Sequence, residues 1–209
     1  MKYEKFRYLY PPRPTVKAPP NSIKTYEKMG LWAQPKLNGS CSLLFTNGTD
    51  VFFMNRHHEK FSNNHLDKEE LKSLHRGTGW LVLVGEYMNK SQRGPDRKIF
   101  NLKFVIFDIL VYNSNYLVNS SFQERQQILD KMYLHLPYDE WLDRISENAY
   151  RVHNFKNNSE DIWKKIVNIE MYEGLIFKKP NAKLENGFSG NNNSGWQVKV
   201  RKPTRNYSY

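Results

Sequence analysis

The chain has 209 residues, enough for one domain or one with a small appendage, and its 39% apolar content, with five Trp, thirteen Tyr and twelve Phe, supplies a packed core and excludes a disordered tail. Lys and Arg outnumber Asp and Glu 32 to 21, a formal net charge of +11, which favours polyanionic partners, nucleic acid first, over charge that serves solubility alone. Cys41 is the only cysteine, so an internal disulfide and a Cys-based zinc site are excluded and a reducing setting fits.

The first ten residues are charged and aromatic, not an apolar signal core, and no run reaches the roughly eighteen apolar residues of a membrane span. A cytoplasmic protein with no membrane contact is expected. Residues 1–20 hold Pro11, Pro12, Pro14, Pro19 and Pro20 and read as an extended leader whose aromatics can pack on the body, residues 21–209. Asn21 or Ser22 can cap a short helix through Met29, with Gly30 suited to the left-handed residue after it. Strands at Ser40–Phe45 and Asp50–Phe53 flank the hairpin signal Asn47-Gly48, which sets Lys36 just ahead of a hairpin.

Asp67 and Glu70 form a capping-box pattern for a helix to about Leu74. Trp80–Met88 and Lys103–Tyr112 read as strands, the second the more deeply buried, with a basic loop between them from Asn89 to Asn101. Ser121 and Glu124 cap a helix to about His135; further helices are expected at Asp139–Glu147 and Ser159–Glu170, and strands at Gly174–Lys178 and Trp196–Arg201. The Asn/Gly-rich stretch Glu185–Gly195 reads as a loop, with Asn191-Asn192-Asn193 a solvated linker. The six histidines show no metal-ligand spacing, and surface positions are expected for them.

By itself, Lys36-Leu37-Asn38-Gly39 is better explained as a lysine before a glycine turn. In order along the chain, however, it is followed by Asn55-Arg56, Gly85-Glu86-Tyr87, Phe104 to Leu110, Glu173-Gly174-Leu175-Ile176-Phe177-Lys178 and Trp196 to Lys202. This ordered set resembles the motifs of the covalent nucleotidyltransferases: ATP-dependent DNA ligases, RNA ligases and mRNA capping enzymes. The resemblance covers roughly residues 31–202. Phe-Val-Ile-Phe-Asp-Ile-Leu-Val-Tyr followed by Glu124-Arg125-Gln126-Gln127-Ile128-Leu129 looks most like DNA ligases; phage RNA ligases share the skeleton, and a viral or phage origin is compatible with it.

The resemblance implies an α+β nucleotidyltransferase, ATP-grasp-like core, with two antiparallel sheets flanked by helices and ATP between them. It implies an enzyme that joins 5′-phosphate and 3′-hydroxyl ends through lysyl-AMP. Lys36 matches the nucleophile. Its ammonium must shed a proton before attack, which desolvation, Lys199, Arg201 and bound Mg²⁺ would favour. Gln34 and Pro35 precede it, with the Gln34 amide a candidate for the adenine edge and Phe107 for stacking on adenine; a core role is the plain alternative for Phe107.

Arg56 and Glu86 match positions that hold ribose and phosphate, the plain alternative for Arg56 being an ion pair with Glu59. Glu173 matches the carboxylate that holds Mg²⁺, and Lys199 the lysine on the α-phosphate. Two residues depart from the pattern. Arg201 stands where a second lysine is usual, replacing a point cation by a planar fork. Asn38, beside Gly39, stands where DNA ligases and capping enzymes have Asp, and keeps an acceptor oxygen but no charge.

Lys90, Arg93, Arg97 and Lys98, with Lys103, are candidates for a nucleic-acid track or a solvated loop. The sequence ends eight residues after Arg201, so no C-terminal oligonucleotide-binding barrel is expected within it, and a partner could supply that function to a monomeric chain. DNA nicks are the expected substrate and RNA ends the alternative; a non-catalytic homologue that binds nucleotide or nucleic acid is the second alternative, and a guanylyltransferase the least expected.

Overall fold

A computed structural model describes residues 7–61, 65–190 and 192–203. In chain order the elements are β1 (Arg13–Ala18), α1 (Ile23–Lys28), β2 (Trp32–Leu37), β3 (Ser40–Thr46), β4 (Val51–Asn55), α2 (Lys68–Lys72), β5 (Leu81–Met88), β6 (Lys103–Tyr112), β7 (Asn115–Tyr116), α3 (Phe122–Met132), β8 (Leu142–Arg144), β9 (Ala149–Val152), α4 (Ser159–Ile166), β10 (Tyr172–Lys178) and β11 (Asn193–Arg201). They form a four-stranded sheet, β1-β11-β10-β2, and a seven-stranded sheet, β4-β3-β5-β6-β9-β8, with β7 pairing β6.

The expected pair of sheets with flanking helices is therefore present. Each sheet is mixed where a wholly antiparallel pairing was expected, because β1 runs parallel to β11 and β9 parallel to β6. Of the proline-rich leader, residues 1–6 lie outside the described residues, and residues 13–18 are extended and paired into the smaller sheet. Tyr8 and Leu9 are buried against Leu43, Phe45 and Val84 of the larger sheet, so the leader bridges the two.

The apolar run of β6 is buried on both faces, as a continuous run must be. Val105 joins a core shared with Leu175, Phe177, Val198 and Val200 of the smaller sheet, while Phe104, Ile106 and Ile109 share a second core with Leu71 of α2, Leu74 just after it and Leu129 of α3. The two sheets are thus fixed to each other through β6.

Helix ends follow local chemistry. The Ser121–Glu124 capping box is complete, but α3 stops at Met132, short of the expected His135, because Tyr133 turns extended and its hydroxyl donates to the Leu74 carbonyl at 2.7 Å. Asp67 caps α2 by accepting from Glu69 and Glu70. The Glu70 carboxylate does not close that box; it accepts from Ser146 and Asn148 instead. The helix expected at Asp139–Glu147 is not formed. Asp139 accepts from the Trp141 and Leu142 amides at 2.7 Å, a turn that feeds buried Leu142 into β8.

Ser159 begins α4, which ends at Ile166, short of Glu170. The linker expected at 191–193 is corrected at both described positions: Asn192 is buried, donates to the Tyr10 carbonyl at 3.2 Å and accepts from the Arg13 amide at 2.7 Å, and Asn193 opens β11. Leader and β11 thereby secure each other.

Candidate active site

Between the two sheets lies a cleft of about 490 Å³, within the range that holds a nucleotide-sized ligand. Its lining includes Arg13, Lys36, Arg56, Lys178, Lys199 and Arg201 but only two carboxylates, Glu86 and Glu173. Six cations against two acids in a partly desolvated space favour an anionic occupant.

Lys36 reaches the cleft because β2 and β3 meet in a turn that only glycine permits. A Cβ on Gly39 would lie 2.4 Å from the Tyr87 carbonyl oxygen of β5, which is backbone and cannot yield. The same close approach lets the Gly39 amide donate to Glu86 Oε1 at 3.2 Å, so the glycine after the lysine also orients a carboxylate opposite it. Lys36 pairs with Gly174 of β10, and its amine forms an ion pair with Glu173 and lies 3.4 Å from the Leu37 carbonyl. Gly174 is required as well: at φ 145°, a Cβ there would fall 2.1 Å from the Val200 carbonyl oxygen.

Arg201 Nε lies 3.3 Å from Glu173, which therefore sits between two cations. Lys199 comes from the same strand, two residues back, and its amine donates to the Pro14 carbonyl at 3.1 Å. Burial, then Arg201, Lys17, Arg13 and Lys36 in order, lower the Lys199 ammonium to about 8. Burial raises the Glu86 carboxyl to about 7, with Glu173 adding to the rise and Lys36, Gly39 and Arg56 opposing it. Both groups titrate close to neutrality.

The opposite wall is quieter. Phe107 lines it half-buried, with the Lys178 amine 5.1 Å from its ring centroid. Behind Phe107, Asp108 and Arg125 form a buried two-pronged ion pair, Nε to Oδ1 at 2.8 Å and Nη2 to Oδ2 at 2.9 Å. Gln34 is buried, and its amide donates to Asn154 Oδ1 at 2.9 Å and to the Phe107 carbonyl at 3.3 Å, which ties β2 to β6 across the floor.

A match to the family model of the ATP-dependent DNA ligase domain spans residues 84–199, more than half of the chain. The chain belongs to that family. No curated protein matches it. Among solved structures, the ligase domain of M. tuberculosis LigD is similar in fold, with TM-score 0.60 and 16% identity over 94% of this chain and 60% of that one. A mycobacterial DNA ligase D complexed with ATP and MES gives 0.59 and 17%, over 94% and 61%. The ATP-dependent DNA ligase of bacteriophage T7, in complex with ATP, gives 0.56 and 17%, over 92% and 68%. The chain spans about 60% of the length of the mycobacterial ligases it resembles.

Within this ligase domain, Gln34, Pro35, Lys36, Gly39, Arg56, Glu86, Phe107, Glu173, Lys199 and Arg201 all line the one cleft. Arg56 is exposed and bonds His57 at 3.1 Å; Glu59 pairs with Asn55 instead of Arg56. Asn38 does not line the cleft. Its amide donates to Met171, its carbonyl accepts from Gln92, and its side-chain oxygen lies 3.5 Å from Lys90 Nζ.

The basic loop stays outside the cleft lining. Arg93 lies 3.5 Å from Glu170, Lys98 lies 3.9 Å from Asp96, and Arg97 is exposed at φ 62°. Lys103 instead donates to Asn148 and the Glu147 carbonyl. Sequence reasoning missed two contributors. Lys178 is buried at the floor, with burial as the first cause of an ammonium lowered to about 8; its place two residues after Ile176 on one face of β10 was the available signal. The leader residues Tyr10 to Pro14 form part of the wall, a role their prolines gave no means of anticipating.

Among the described residues, no helix is long and apolar enough to cross a membrane.

Proposed function

We propose that this domain is an ATP-dependent adenylyltransferase that seals 5′-phosphate to 3′-hydroxyl ends, with nicked DNA as its substrate. The observation that carries the reading is Lys36 held against Glu173 in a cleft where cations outnumber acids. In the first step the Lys36 amine attacks the α-phosphorus of ATP: an N–P bond forms, the α–β P–O bond breaks and pyrophosphate leaves. Glu173 is the base within reach of the proton that the amine sheds. AMP then passes to a 5′-phosphate, restoring the amine, and a 3′-hydroxyl displaces AMP as the ends join.

Lys199 and Arg201, on β11, stand across β10 from Lys36 and are suited to phosphate charge; Phe107 and Gln34 are suited to the base. Arg56 and Glu86 are suited to the ribose and its phosphate. The donor set also fits Mg²⁺. Glu173 offers a hard oxygen, and two carboxylates leave most positions to phosphate oxygens and water, as that ion prefers. When bound, Mg²⁺ would neutralise phosphate charge and compete with Lys36 for Glu173. The exposed basic loop, Lys90, Arg93, Arg97 and Lys98, would follow the polynucleotide backbone.

The test is covalent labelling of the chain with α-labelled ATP or GTP and Mg²⁺, resolved on a denaturing gel, followed by sealing of nicked DNA, nicked RNA and pre-adenylylated strands. Label from ATP but not GTP, abolished in Lys36→Ala, and sealing of nicked DNA are expected. No label from either nucleotide, with nucleic acid still bound, would establish a binding module instead.

A further inference from the structure

Two histidines that the cleft does not use converge elsewhere. His135 follows α3, Asp143 is the central residue of β8, and His153 follows β9, so the three meet at the outer edge of the larger sheet. His135 Nδ1 lies 2.7 Å from each Asp143 oxygen, and His153 Nε2 lies 3.0 Å from Oδ1. One donor atom from each residue falls within 4.8 Å of the other two. No spacing in the sequence announces this, because each residue leaves a different element.

The Asp143 carboxylate is 7% exposed, and neither its Oδ1 nor His153 Nε2 has a hydrogen-bond partner, despite their separation. His153 Nδ1 sits 3.1 Å from the Glu140 carbonyl, which can only accept, so Nδ1 carries a hydrogen and Nε2 is the nitrogen turned toward the Asp143 carboxylate. A shielded carboxylate oxygen and a ring nitrogen at this separation are placed to share a cation. A carbonyl that fixes the outer nitrogen of an imidazole is also the usual support of a metal-binding histidine.

Two imidazoles and one carboxylate select the borderline zinc class over magnesium or calcium, which take oxygen. A tetrahedral zinc with bonds of about 2.0–2.1 Å sets its ligands about 3.3 Å apart. The observed 2.7 and 3.0 Å would open by about 0.6 and 0.3 Å, a shift that His135, 69% exposed, can supply. The neighbouring charges do not oppose it: Arg151, opposite Asp143 in the β8–β9 register, is paired with Asp130 of α3.

We propose that His135, Asp143 and His153 bind one Zn²⁺, with water as the fourth ligand, and so clamp the segment after α3 to the β8–β9 edge. The experiment titrates the metal-stripped full chain with Co²⁺, reading visible absorption, then back-titrates with Zn²⁺ and with Mg²⁺. One Co²⁺ per chain, tetrahedral absorption, displacement by Zn²⁺ but not by Mg²⁺, and a melting temperature raised by Zn²⁺ are expected. His153→Ala and the exposed His135→Ala should each weaken binding by at least the roughly 10- to 100-fold that loss of an outer-shell partner costs, while His75→Ala, at a histidine outside this cluster, leaves it unchanged. Absence of saturable binding, binding undiminished in either variant, displacement by Mg²⁺, or a melting temperature that Zn²⁺ does not raise would overturn the proposal.

Discussion

The cleft wall built from β2, β10 and β11 carries Lys36, Glu173, Lys199 and Arg201, whereas the wall from β3, β5 and β6 offers Cys41, Phe107 and a single carboxylate, Glu86. Charge on the first wall is concentrated by close strand pairing: Gly174 lets β10 approach β11, and cross-strand partners bring Lys36 beside Glu173. On the second wall the charges are withdrawn behind the surface, as in the Asp108–Arg125 pair, leaving an aromatic face. A mononucleotide has the same division, a flat base at one end and phosphates at the other. In the proposed function the charged wall carries the chemistry and the aromatic wall the recognition, and the two can be disturbed separately.

The largest effect on the aromatic wall should come from beneath it. Asp108→Ala leaves Arg125 buried and uncompensated, and a loss of about 3–5 kcal/mol in unfolding free energy is expected from denaturant titration. On the charged wall, Lys199→Ala should leave stability nearly unchanged and lower the rate of adenylylation by about 10² to 10³-fold, read in single turnover. Phe107→Ala should do the reverse of Lys199→Ala, raising KM for ATP by about tenfold with little change in kcat. If both variants moved the same constant, the division between walls would fail.

The smallest effect concerns Glu86. Its folded carboxyl titrates at about 7 against an ordinary 4.5, so the folded state holds its proton where the unfolded state has released it. Stability then falls as pH rises between those values. Glu86→Gln keeps an acceptor for Gly39 but loses this dependence. Its melting temperature should gain on the parent chain between pH 4.5 and 7 and hold that gain above.

Much of this arrangement was legible in the residues. The span of β6 coincides with its apolar run, the Ser121–Glu124 cap forms as written, and Lys36, Glu86, Glu173 and Lys199 share one cleft, as their ordered motifs implied. The failures have physical causes. Asp139 and Glu70 are short-range capping signals whose carboxylates were taken by a turn and by a distant loop. β1 is invisible in a proline-rich stretch because its strand character comes from its partner, β11, 180 residues away in register from Arg13 to Asn193. Asn38 reads as a cleft residue by its place in the motif, yet the backbone turn sends it toward Lys90.

Three lysines, Lys36, Lys178 and Lys199, line the cleft, and only the first is assigned the covalent role. The most direct measurement is to incubate the chain with ATP and Mg²⁺, digest it, and locate the AMP adduct by peptide mass spectrometry. The account predicts a single modified site at Lys36. An adduct on Lys178 or Lys199, or none under conditions where the protein binds ATP, would contradict it.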